Sequence, residues 1–173
     1  MSALIPRSRR SEPMTDPLED EAFNKVCNYL SFRQRTEWEI RQYLTKHGLV
    51  QVTDEIITRL KRAGLVDDER FALTWIRERS INKGYGQRRL RDELRRLGVN
   101  AGLIEESILT AYSEEDETNH AIELARKRWD SLASDNPRVK RNKIYAFLIR
   151  RGYPSSTAIE AIEAVIQATQ EPL

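Results

Sequence analysis

Between Arg77 and Arg96 the chain carries eight basic residues, Arg77, Arg79, Lys83, Arg88, Arg89, Arg91, Arg95 and Arg96, against three acidic ones, Glu78, Asp92 and Glu93. Guanidinium groups at that density suit phosphate, because each stays charged and offers a planar fork of donors that matches two anionic oxygens. A second run, Arg138, Lys140, Arg141, Lys143, Arg150 and Arg151, has no acid between its ends, and Arg33 with Arg35 forms a smaller third group. Two basic surfaces in succession can follow a nucleic-acid backbone, with an affinity that falls as salt rises and counterions are no longer released at a gain. The competing reading is a solvated helix surface laced with pairs such as Arg89 and Glu93, four residues apart. Charge alone leaves the two readings level, since 29 basic and 27 acidic residues give a net charge of only +2.

Other chemistry finds little to work with. His47 and His120 stand apart, and Cys27, the only cysteine, has no histidine near it in sequence. No ligand spacing suggests a metal, and the GYG of Gly84 to Gly86 lacks the lysine and hydroxyl of a phosphate-binding loop. Asp67 and Asp68 read as helix-start residues rather than a catalytic pair. No catalytic, cofactor-binding or metal residue is therefore expected, and no enzyme. One cysteine excludes an internal disulfide, no stretch nears the roughly 20 apolar residues of a membrane span, and the opening lacks a signal-peptide core, so a cytoplasmic protein is expected. Trp75 fits an apolar stripe with Phe71, Ala72 and Ile76, whereas Trp38 lies off the Ile40 and Leu44 stripe and is free for a partner contact.

The elements that carry these side chains are helices. From Glu19 onward apolar residues recur at three and four positions, and the composition, 39% hydrophobic and 32% charged, suits an all-α protein with much surface. Three segments align: EIRQYLTKHGL, LRDELRRLGV and IYAFLIRRGY. Each is a helix closed by a glycine, Gly48, Gly98 or Gly152, with Leu44, Leu94 or Leu148 four positions earlier. The repeat predicts a flexible tail over 1–18 and three-helix, helix-turn-helix-like units over 19–65, 66–113 and 114–170, stacked as an elongated, curved array.

Within the units, a first helix is expected over Glu19 to Arg33, and Thr36 with Glu39 has the spacing of a capping box. Asp67 and Asn100 are expected caps, SLASDNPRVKR is expected to be a long break, and Ile159, Ile162 and Val165 should face the third core.

The stretches YLSFRQRTEWEIRQYL, LVDDERFALTWIRERSINKGYGQRRLRDELRRLGV and LIRRGY resemble the successive signatures of the RecX family over about residues 22 to 166. The resemblance implies an all-helical repeat fold without catalysis, and a regulator that binds the filament of the bacterial RecA recombinase and inhibits its ATPase and strand exchange. Thr36 and Val66 stand where the family usually has serine and leucine; both keep the capping and packing those positions need. The basic residues then suggest how such an array works: lying in the groove of a nucleoprotein filament, with Arg77, Arg88, Arg91, Arg95, Lys140, Arg141 and Lys143 as the contact surface and Arg33 and Arg35 as a weaker group. The expected partners are the RecA filament and the phosphate backbone of single- and double-stranded DNA, met by a monomer. The alternatives are a freestanding helix-turn-helix regulator and a protein adaptor that does not touch DNA. The former is weakened because the candidate reading helices offer only Gln42 and Gln87 for adenine.

Overall fold

In the computed structural model, residues 16–133 and 136–170 are described. They form α1 (Pro17–Leu30), α2 (Glu37–Lys46), α3 (Thr53–Arg62), α4 (Asp68–Lys83), α5 (Gln87–Arg96), α6 (Ala101–Ala111), α7 (Glu114–Ser131), α8 (Pro137–Arg150) and α9 (Ser155–Gln170), with no strand among the described residues. The protein is all-α, a tandem array of three three-helix units.

Local chemistry starts each helix. Thr36 and Glu39 form the capping box, and Ser113 with Asp116 forms a second. Asp67 and Asn100 accept amide hydrogens at the heads of α4 and α6. At α1 and α8 an Asx cap, Asp16 or Asn136, precedes a proline whose missing N–H costs nothing in the first turn. α1 therefore begins at Pro17, inside the stretch read as tail; residues 1–15 lie outside the described part. It also ends at Leu30 rather than Arg33, and Arg33 beyond it reaches Glu39 at the head of α2. The long break is shorter than the sequence suggests: Ser131 still belongs to α7, and Pro137 through Arg141 already belong to α8. Residues 134 and 135 lie outside the described part.

The three units keep separate cores. Ala22, Val26, Ile40, Leu44, Ile56 and Leu60 fill the first, Phe71, Ile76, Leu90, Leu94 and Ile104 the second, and Ala121, Ala125, Ile144, Leu148 and Ile162 the third. Val66, counted with the second unit in the sequence, packs into the first core. In the third core, α7 and α9 meet through Ala121, Ala125, Ala158 and Ala161, all buried. Small side chains let the two backbones approach, and that turn of α9 leaves Ile159 41% exposed instead of buried. Trp75 packs against the second core with its ring centroid 5.5 Å from that of Phe71, and its indole N–H donates to Glu93.

The second helix of every unit ends alike. Gly48, Gly98 and Gly152 have φ of 72°, 76° and 88°, and the residue after each donates back to the leucine carbonyl five positions earlier: Leu49 to Leu44 at 3.0 Å, Val99 to Leu94 at 3.1 Å, Tyr153 to Leu148 at 3.2 Å. These are Schellman closures, with the buried pair of leucine and following apolar residue that accompanies them.

Candidate nucleic-acid interface

Two joints hold the units together, and they repeat one geometry. At the first, the Thr36 hydroxyl donates to the Leu97 carbonyl at 2.6 Å and the Glu37 amide donates to Asp68 at 2.8 Å. At the second, the Gly86 amide donates to the Arg151 carbonyl at 2.9 Å and the Gln87 amide donates to Glu117 at 2.7 Å. Each time the N-cap of a second helix meets the last carbonyls of the next unit's second helix, and the first helical amide meets a carboxylate on the next unit's first helix. The positive end of α2 thus faces the negative end of α5, and that of α5 faces α8, the favourable arrangement of helix dipoles. The closing glycines sit in these joints. A Cβ on Gly98 would overlap the Trp38 indole, and one on Gly152 would lie 2.6 Å from the Arg89 amide nitrogen. Trp38 is 45% exposed, so its inner face covers Gly98 while the rest meets solvent.

Burial raises the pKa of both joint carboxyls, Asp68 and Glu117, against the lowering effect of the amide each accepts. Glu37 goes the other way. Burial pushes it up, but the hydrogen bonds and charges of Lys61 and Arg41 outweigh that and hold it below the usual range.

The second joint also gathers cations. Arg88, Arg89 and Arg96 of α5 and Arg150 of α8 line an open cleft of about 380 Å³, with Asp92, Glu93, Ile149 and Gly152 completing the wall. Arg89 is committed: it lies 3.8 Å from the Tyr85 ring centroid, pairs with Glu93 at 3.4 Å and donates to the Arg150 carbonyl at 3.3 Å. Arg88, Arg96 and Arg150 are exposed, and their guanidinium groups have no protein partner among the described residues.

The sequence-derived contact set is split by the structure. Arg77 and Lys143 are exposed and, like Arg88, have no side-chain partner among the described residues. Arg91 and Arg95 turn instead toward α6, where Arg91 binds Glu105 at 2.8 Å and Arg95 lies 3.9 Å from it while also reaching Asp92 at 3.2 Å. Lys140 folds back onto Trp129, donating to its carbonyl at 3.0 Å, and Arg141 pairs with Glu163 at 3.5 Å. Arg33 and Arg35 both bind Glu39, the capping glutamate of α2, and Arg35 also lies 4.1 Å from the Tyr29 ring centroid. The side of α5 that faces the cleft is the row 88, 92, 96 rather than 88, 91, 95. Arg96 and Arg150 are the residues the sequence reading passed over, although the two-turn spacing of Arg88 and Arg96 signals a shared face.

Helix-turn-helix readout has little material here. Gln87 is buried in the joint, donating to the Tyr112 carbonyl at 2.9 Å, so its amide does not face solvent. Of the third helices, α6 and α9 contain no lysine or arginine, and α3 carries Arg59, Lys61 and Arg62, of which Arg59 pairs with Asp20 and Lys61 with Glu37. His47 caps α2 with Nδ1 2.7 Å from the Tyr43 carbonyl, and His120 lies 3.3 Å from the Tyr112 hydroxyl. Among the described residues no three His, Cys, Asp or Glu groups are placed to hold a metal, and no helix is long and apolar enough to cross a membrane.

Fold and joints define a tandem three-helix-repeat protein with a cationic cleft where two repeats meet. The family models for the first, second and third three-helix domains of RecX match residues 22–60, 67–108 and 114–162. A relative named Regulatory protein RecX from Mycobacterium sp. (strain JLS) is 33% identical over 166 residues, covering 92% of this chain and 90% of its own. Another of that name from Amycolatopsis mediterranei (strain U-32) is 35% identical over 141 residues, 80% of each chain. The crystal structure of RecX from Lactobacillus salivarius shares the fold, with a TM-score of 0.78 at 22% identity over 87% of this chain and 97% of that one. This chain belongs to the RecX family, whose curated relatives carry the name of regulatory proteins.

Proposed function

We propose that this protein is a cytoplasmic, non-catalytic negative regulator of the RecA recombinase, which binds the RecA–DNA filament, lowers its ATPase and strand-exchange activities, and so modulates homologous recombination and repair. Family membership across all three units points to the regulator, and one observation carries the mode of binding. Arg88, Arg96 and Arg150, drawn from two units, line one cleft, and among the described residues none of them pairs with an acid. Asp92 and Glu93 of the same wall are engaged by Arg95, Arg89 and Arg79, which leaves these three exposed guanidinium groups to an anion from outside, and phosphate supplies the bidentate acceptor. Arg77 and Lys143 extend the same role, whereas Arg91, Arg95, Lys140, Arg141, Arg33 and Arg35 chiefly serve the fold. An array that spans neighbouring protomers holds them in one relative position and so opposes the movements that accompany nucleotide turnover.

The test is the ATPase rate of preformed RecA filaments on saturating single-stranded DNA as the protein is titrated in. Progressive inhibition is expected; an unchanged rate at stoichiometric excess of folded protein would remove the regulator reading.

A further inference from the structure

The row of α5 that carries Arg88 and Arg96 has a counterpart in the first unit. Trp38 and Arg88 are each the second residue of their helix, and Lys46, Arg96 and Arg150 are each the last. On α2, therefore, Trp38, Gln42 and Lys46 share one face, at the four-residue spacing that places Arg88, Asp92 and Arg96 on one face of α5. At the second joint Arg88 and Arg150 line one cleft. The residues that hold those two places at the first joint are Trp38 and Arg96, an indole and a cation. Lys46 and Arg96 are exposed, and among the described residues neither pairs with an acid; Gln42, between Trp38 and Lys46, is exposed and uncharged.

The indole is held on one side only. Its inner face lies on Gly98, where an added Cβ would overlap the ring, yet Trp38 remains 45% exposed. Covering a closing glycine needs no ring, since the second joint covers Gly152 with the backbone and Cβ of Arg89. The outer face of Trp38 thus has no task in the fold, and its surroundings decide its partner. A protein hot spot sits in an apolar patch from which water is excluded, whereas this indole stands in a row completed by an amide and a cation, with Arg96 beside it. An aromatic face among cations is the way proteins hold single-stranded nucleic acid: the cations track the backbone and a base lies flat on the ring. A duplex cannot use such a ring, because its bases already stack on one another. We propose that Trp38 stacks on a base of single-stranded nucleic acid whose phosphates meet Arg96 and Lys46. The proposal rests on the phosphate reading of the Arg88 and Arg150 cleft and adds a selection for unpaired strands that phosphate contacts alone do not provide.

The experiment measures the affinity of the full chain, with no other protein present, for oligodeoxythymidylate and for an abasic deoxyribose-phosphate strand of the same length. The abasic strand keeps the phosphates and removes the bases. The parent should bind oligodeoxythymidylate about tenfold or more tightly than the abasic strand, and Trp38→Phe should keep most of that ratio. Trp38→Leu, which still covers Gly98, should bring the ratio to about one and leave the salt dependence as it was. In the nitrogen-15 spectrum of the parent, the Trp38 indole N–H signal should move on adding oligodeoxythymidylate and stay in place with the abasic strand, a reading that needs no variant to fold. Equal binding of the two strands by the parent would overturn the stacking and leave the phosphate reading standing; binding of neither strand would overturn both. An indole signal that does not move, or a ratio that a folded Trp38→Leu variant retains, would also overturn the proposal. Loss of affinity for RecA filaments in a Trp38→Leu variant that keeps the ratio would make the indole a protein contact instead.

Discussion

At the scale of single residues, Glu117 tests the energetics of the joint. Only 4% exposed, it accepts the Gln87 amide at 2.7 Å, and burial raises its pKa above the ordinary 4.5. A carboxyl whose folded pKa lies above its unfolded value contributes its stability in full below the unfolded pKa and loses it as pH rises through the folded one. Glu117→Gln keeps an acceptor oxygen for the amide and removes the buried charge. Urea unfolding should therefore show the variant at least as stable as the parent at pH 7, with a smaller loss of stability between pH 4 and pH 7. A variant less stable at pH 7 by 2 kcal/mol or more would mean that the charge itself holds the joint. Arg35 tests another residue-level assignment. Its bonds go to Glu39 and the Tyr29 ring, so Arg35→Ala should destabilise by about 1 kcal/mol in the same assay and leave DNA affinity unchanged within twofold.

At the scale of elements, the three closing glycines form an internal experiment. All three have a positive φ, but only Gly98 and Gly152 are packed against another unit. Alanine at Gly48 should cost about 1 kcal/mol, the penalty of the left-handed backbone, whereas alanine at Gly98 or Gly152 should cost about 2–4 kcal/mol because overlap adds to it. Thermal or urea unfolding of the three variants checks the order. The helix ends were legible in the sequence because their signals are local: Thr36 and Glu39, Asp67, Asn100 and the three glycines all act within a few residues. Ile159 was misplaced because periodicity does not say which turn of α9 meets α7; paired alanines decided that. The joints were not legible at all. The Thr36 hydroxyl and the Leu97 carbonyl lie 61 positions apart, and nothing in either segment names the other.

At the scale of the whole molecule, the basic runs were visible but their use was not. The cations of these runs look alike in sequence, yet partners set by tertiary packing, Glu105 for Arg91 and Arg95 and Trp129 for Lys140, sort the occupied from the open ones. Arg96 and Arg150 gain their importance only because the second joint brings α5 beside the end of α8. Charge reversal at Arg91 and Arg95 should accordingly weaken filament binding far less than reversal at Arg88, Arg96 and Arg150. Co-sedimentation of each variant with filaments gives the comparison.

The most direct measurement is the salt dependence of binding to RecA filaments on single-stranded DNA, for the parent and for R88E/R96E/R150E. If the cleft holds phosphate, the triple variant keeps its helical circular dichroism, binds at least tenfold more weakly, and loses about 2 from the slope of log affinity against log salt, roughly 0.7 for each phosphate contact. An unchanged affinity and slope in a variant that folds like the parent would contradict the account and move the contact surface away from the joint of units 2 and 3.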